Sequence, residues 1–275
     1  MKTSCYFGLA CVVLTLLFGC SRGESGEAKE NLTVAFISHT YYVNRHKDVQ
    51  QMFIDDINKA KPKYIFAMGD IVLLNRDNEW AGTLEFFSKF DAQVYYVPGN
   101  HDIFNFDIVE GLATDRHYPE WRQQYVDRIG YAHKMIRDDQ ADFVLINSND
   151  PASKITPFLD ESLSKANPKT PTLLLSHHRI WLERYQENWV QWYWKSAKKE
   201  ELLPYISKFD QVVIGDLWGK YEMKSIENTP TAMIGMGNND KPAFWVYAEL
   251  KGSEFAFEQR TITLPEGHPF IHKKK

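Results

Sequence analysis

Beyond Cys20 the sequence contains no cysteine; the three it has are Cys5, Cys11 and Cys20. A disulfide-stapled core is thereby excluded, and so is a catalytic thiol in the body of the chain. Positive charge is not in excess either. With 32 Lys and Arg against 36 Asp and Glu, the formal net charge is -4, which gives no basis for nucleic-acid binding. No internal repeat is visible, and no Pro/Gly/Ser linker interrupts residues 32–266. Disorder is excluded by what is present: 44 % hydrophobic and 14 % aromatic residues are too many for an unfolded chain. The 275 residues suit one α/β domain, or at most two.

The N-terminal segment is not expected to belong to the fold. Lys2 is its only charge before Arg22, and residues 9–18 read LACVVLTLLF. About ten apolar residues are too few to span a bilayer as a helix but fit the core of a signal peptide. Leu17-Phe18-Gly19-Cys20 resembles a bacterial lipoprotein cleavage box, in which the cysteine becomes the lipid-bearing N-terminus. A plain cleaved signal is the alternative. Residues 1–19 are therefore expected to be a signal peptide, and 20–31 a tether lipidated on Cys20. The domain then covers 32–266, and 267–275 form a basic tail ending in Lys273-Lys274-Lys275. This arrangement implies a cell-membrane or outer-membrane lipoprotein with its domain exported, periplasmic or extracellular.

Along the body, short apolar runs alternate with amphipathic ones. Strands are expected at 32–38, 64–70, 93–102, 141–148, 172–178 and 211–216, with shorter ones over 231–262. Helices are expected at 47–60, 79–90 and 194–209. Runs such as YIFAM and TLLLS are apolar on both faces, as in sheets covered by helices. The class is α/β, layered α/β/β/α.

Strand after strand ends in a metal-ligand type: Ser38-His39, Gly69-Asp70, Gly99-Asn100-His101-Asp102, Ser176-His177-His178 and Gly215-Asp216. In open α/β sheets ligands bind outside the carboxyl ends of the strands. Asp, Asn and His together suit Mn, Fe or Zn. Any one of these motifs alone is also a common turn, cap or structural pair. Their joint occurrence, in order, is the signal.

With these motifs the chain resembles the calcineurin-like metallophosphoesterases. The pattern of that family is Asp-x-His, Gly-Asp, Gly-Asn-His-Asp/Glu, a histidine at a strand end, then Gly-His-x-His. The resemblance implies a four-layer sandwich of that type and two metals bridged by an aspartate. It assigns Asp70, Asn100 and His177 to metal binding and His101 to leaving-group protonation, with Asp102 available to orient its ring. The chain departs from the pattern at both ends. His39-Thr40-Tyr41 stands in place of Asp-x-His, and Gly215-Asp216-Leu217-Trp218 in place of Gly-His-x-His. Tyr is a poor ligand at neutral pH, and Trp only donates. One divalent metal per chain is therefore expected, held by Asp70, Asn100, His177 and Asp216, with His39 as an extra ligand.

Two readings follow. One is a membrane-anchored phosphoesterase acting on a phosphate-containing small molecule or envelope component through an altered, single-metal site. The other is a catalytically inactive relative, without a required metal, that binds an envelope ligand or partner. A further feature, Trp181, Tyr185, Trp189 and Trp192, falls at helical spacing. It reads either as a core-facing stripe or as an aromatic roof over the site.

Overall fold

The computed structural model describes residues 30–44, 46–104, 114–181, 196–217, 219–236 and 243–268. The expected signal peptide, Cys20, most of the tether, Trp218, the aromatic residues from 182 to 194 and the end of the tail lie outside them. The chain divides into two units, Met1–Glu30 and Asn31–Lys275, and every element below belongs to the second.

The strands are β1 (Thr33–Ile37), β2 (Tyr64–Ala67), β3 (Gln93–Tyr96), β4 (Lys134–Arg137), β5 (Asp142–Ile146), β6 (Thr172–Ser176), β7 (Gln211–Ile214), β8 (Lys220–Ile226), β9 (Thr229–Gly235), β10 (Phe244–Lys251) and β11 (Glu254–Thr261). They form a five-stranded sheet in the order β11-β10-β1-β2-β3 and a six-stranded sheet in the order β4-β5-β6-β7-β9-β8. In the first sheet β1, β2 and β3 run parallel; in the second β5, β6, β7 and β9 do.

Alternation along the strands builds the layers, because successive side chains point to opposite faces. In β1, Val34 and Phe36 face the middle core, where Phe66, Leu173, Leu175 and Val213 meet them from both sheets. Ala35 and Ile37 face outward onto helices α1 (Lys47–Ala60), α2 (Asp77–Phe87) and, past the short α3 (Asn100–Ile103), α4 (Thr114–Ile129). On the second sheet Val144, Leu174, Val212 and Ile214 pack against α5 (Ala152–Lys165) and α6 (Ser196–Ile206). The expected four-layer α/β/β/α sandwich is what forms. Trp181 packs onto this last core, the one described member of the aromatic stripe.

The sheets are joined closely at one end. Met68, just past β2, accepts a hydrogen bond from His177 Nδ1 at 2.7 Å, across from the end of β6. A Cβ on Gly215 would lie 1.9 Å from the Met68 carbonyl oxygen, so only glycine lets β7 approach there. Among the described residues no helix is long and apolar enough to cross a membrane.

Candidate metal centre

The carboxyl ends of β1 and β2 turn the same way. His39 (φ 57°) and Asp70 (φ 53°) both adopt the left-handed backbone conformation, and the His39 N–H donates to Gly69 O at 3.0 Å. Two non-glycine residues held there, side by side, mark a locally strained segment. The turns aim both side chains into the rim. Gly69 (φ +90°) must be glycine, because a Cβ would stand 2.4 Å from His177 Nδ1.

Asp70 is the centre of the cluster. Its Oδ1 lies 3.4 Å from His177 Nε2, and its Oδ2 lies 3.5 Å from His39 Nε2. Asp216 Oδ1 comes within 4.0 Å of His39 Nε2. The ring nitrogens are assigned by their partners. His177 Nδ1–H donates to the Met68 carbonyl. The Ser38 hydroxyl donates to Gly215 O at 2.5 Å, so at 3.0 Å it receives the Nδ1–H of His39. Both histidines thus turn Nε2 toward the carboxylate. Both Nε2 atoms, and Asp216 Oδ2, are buried without a hydrogen-bond partner.

Electrostatics follow this geometry. Burial holds His39 down to about 3, against the pull of Asp70, so it is neutral and offers a lone pair. Burial would lower His177 too, but the nearby charges of Asp70 and Asp216 raise it to about 9. Asp70 itself is buried, yet His177 and His101 hold it well below the usual carboxylate range. Burial pushes Asp216 up to about 6. Burial and the nearby Asp70 charge push Tyr41 far above an ordinary phenol, so it is no anionic ligand. A carboxylate set between two Nε2 lone pairs is repulsive unless a proton or a cation lies between them. The donor set of imidazole and carboxylate therefore suits a metal ion, and His39, Asp70 and His177 form a group able to hold one.

The expected site residues are gathered at one rim. His101 donates its backbone N–H to Asp70 Oδ1 at 3.1 Å, and its ring Nδ1–H is taken by Leu73 O at 2.6 Å. Asn100 lies in the same turn, with its amide oxygen 3.0 Å from His178 Nε2. The expected task of Asp102 requires correction. Its oxygens accept the backbone N–H groups of Gly99, Asp70 and Ile71 at 2.8 Å and of Val72 at 3.2 Å. It therefore ties the β2 loop to the Asn100 turn, and the Leu73 carbonyl, not Asp102, orients the His101 ring. His39 moves from extra ligand to the central group. Reasoning from the sequence placed Ser38 and His178 at strand ends without giving either a role, and missed Ser148; their contacts join strands far apart in the chain.

Residues 32–217 match the calcineurin-like phosphoesterase family. The chain belongs to that family. Solved structures agree on the fold. A dimetal phosphatase from Danio rerio is 12 % identical with a TM-score of 0.56, over 86 % of this chain and 99 % of that one. A purple acid phosphatase from yellow lupin seeds is 11 % identical with a TM-score of 0.60, over 85 % of this chain and 52 % of that one. No curated relative matches the calcineurin-like chain in sequence.

Proposed function

We propose that this calcineurin-like chain is a membrane-anchored phosphoesterase that works with one divalent cation, Mn, Fe or Zn. One observation carries the reading: two buried, unpartnered Nε2 atoms face the two oxygens of one buried carboxylate. His39, Asp70, His177 and Asp216 would hold the ion, and Asn100 would complete the set. A cation held there would supply positive charge beside a phosphoryl oxygen and would lower the pKa of a water toward about 7. Asp70 remains ionised and anchors the site. Ser38 and the Met68 carbonyl fix the two imidazoles in the tautomer that offers Nε2. His101, whose Nδ1–H is held by Leu73 O, would act in its doubly protonated form: it gives the Nε2 proton to the oxygen that leaves as the P–O bond breaks, and the proton released by the attacking water restores it. Water adds to phosphorus, so the products are an alcohol and a phosphate.

The substrate proposed is a small phosphate ester or a phosphorylated envelope component. Lipid on Cys20 would place the domain at a bacterial membrane surface, outside the cytoplasm. Tyr41 favours a second reading, a relative without turnover that binds an envelope ligand. An imidazole is expected at that place in the family, and a neutral phenol stands there.

Metal content and aryl phosphate hydrolysis of the full-length chain in detergent test the choice. One metal per chain, with Mn-dependent turnover lost in His101→Ala, is the expected result. One metal without turnover selects the binding protein, and no metal overturns both the ligand set and the mechanism.

A further inference from the structure

His178 touches a candidate ligand and has no task in the mechanism above. It is buried, with its ring centroid 4.6 Å from that of His177. Its Nε2 lies 3.0 Å from Asn100 Oδ1, and its Nδ1 lies 2.8 Å from Ser148 Oγ. An amide oxygen only accepts, so Nε2 carries the ring proton and donates it. In the neutral ring Nδ1 is then the acceptor, and the Ser148 hydroxyl donates to it. Ser148 Oγ also receives the backbone N–H of His178 at 3.2 Å, and the Ser176 hydroxyl donates to His178 O at 3.0 Å. Ring and backbone are pinned together, by residues that follow or end β5 and β6.

The ring tautomer and the orientation of Asn100 are therefore coupled, each holding the other. An amide turned through 180° would set its NH2 against the Nε2–H of His178, donor against donor. The oxygen is therefore kept on the His178 side. One of its two lone pairs is engaged there and the other is left open. The turn that carries Asn100 is already fixed against Asp70, because a Cβ on Gly99 would stand 2.2 Å from Asp70 Oδ1. The backbone is thus placed by the close approach of Gly99, and the side chain by His178. The geometry points to His178 as a positioning residue that, oriented by Ser148, presents the amide oxygen of Asn100 to the cation. This rests on the one-cation reading of the site.

Outer partners of metal ligands typically contribute about 10–100-fold in metal affinity. Cobalt titration of the full-length chain in detergent, followed by visible absorption, reads the effect, and thermal unfolding of the metal-free form checks the fold. His178→Ala is expected to weaken cobalt about 10–100-fold and to alter the absorption band. His178→Gln, which keeps an N–H donor, is expected to recover part of the loss, and Ser148→Ala to show a smaller one. In an Asn100→Ala background, His178→Ala should cost nothing further. Unchanged affinity in His178→Ala, or a loss that persists undiminished without Asn100, overturns the assignment. Should His178→Ala fail to fold, the Gln and Ser148→Ala variants decide by the same criteria. A wild-type chain that takes up no cobalt overturns the one-cation reading itself, which separates the two failures.

Discussion

The two ends of the double sheet both bury polar side chains, and they treat them differently. At the amino ends of the strands most of the polar groups are closed on one another. Gln211 and the backbone of Phe255 exchange two hydrogen bonds, of 3.0 and 2.7 Å, between the sheets. Asp142 accepts the N–H of Asn167, Asp210 accepts that of Thr172, and Thr229 donates to Ile206 O. The remaining oxygen of Asp142 has no hydrogen-bond partner and faces the Arg137 guanidinium at 3.8 Å, an ion-pair distance. At the carboxyl ends, His39 Nε2, His177 Nε2 and Asp216 Oδ2 are left over. Burying polar atoms without partners costs stability, and at this rim the leftover atoms belong to residues able to hold a metal ion. One end holds the sandwich together; the other gathers the candidate metal ligands.

The sharpest way to break this contrast is Asp70→Ala. It removes the carboxylate both imidazoles face, and the chain is expected to retain no metal by elemental analysis. Metal retained by that variant would show that the rim is not organised around Asp70. Asp102→Ala comes next. Four backbone N–H groups lose a charged acceptor, and a loss of roughly 4 kcal/mol or more is expected in denaturant unfolding, with metal binding lost as well. A mild effect would mean that the two loops hold without it.

Gln211→Leu tests the opposite end. It leaves the Phe255 N–H buried and unpaired, at about 1–3 kcal/mol, while cobalt affinity should not change. A change in affinity would show that the two ends are coupled. A further test is the pH dependence of the metal-free chain. The folded His177 pKa lies above its ordinary value of 6.5, at about 9. Its stabilising contribution is therefore complete below 6.5 and lost as pH rises through about 9. The shifts of His39 and Asp216 are exhausted below that window. Melting temperature should fall between pH 6.5 and 9 without metal and hold steady with it, because a bound cation displaces the His177 proton. Equal slopes in the two forms would argue that the cation does not contact His177.

Much of this was legible in the sequence. Helix α1 spans the expected 47–60, and strands β1, β2, β5, β6 and β7 lie within the expected runs, because buried strands leave unbroken apolar segments. Helix α4 was not legible. Its buried side is made by Tyr118, Trp121 and Tyr125 among charged residues, and Pro119 lies inside it. The edge strands β4 and β8 read KMIR and KYEMKSI, too polar and exposed to stand out. At the site, residue types gave Asp70, His177 and His39. They could not give the role of Asp102, because backbone N–H partners leave no trace in a sequence. Nor could they give the role of His178, whose partners Ser148 and Asn100 are 30 and 78 residues away.

The seam at Met68 has a consequence for how the protein opens. Asp70 hangs from one sheet and His177 from the other, and the His177–Met68 hydrogen bond crosses between them. A fluctuation that parts the sheets at this end tears the ligand set in two, whereas fraying of an outer helix leaves it whole. An ion bound there would act as a latch on one breathing motion. Amide protons of β2 and β6 should exchange more slowly with solvent in the loaded protein, and those of α5 should not.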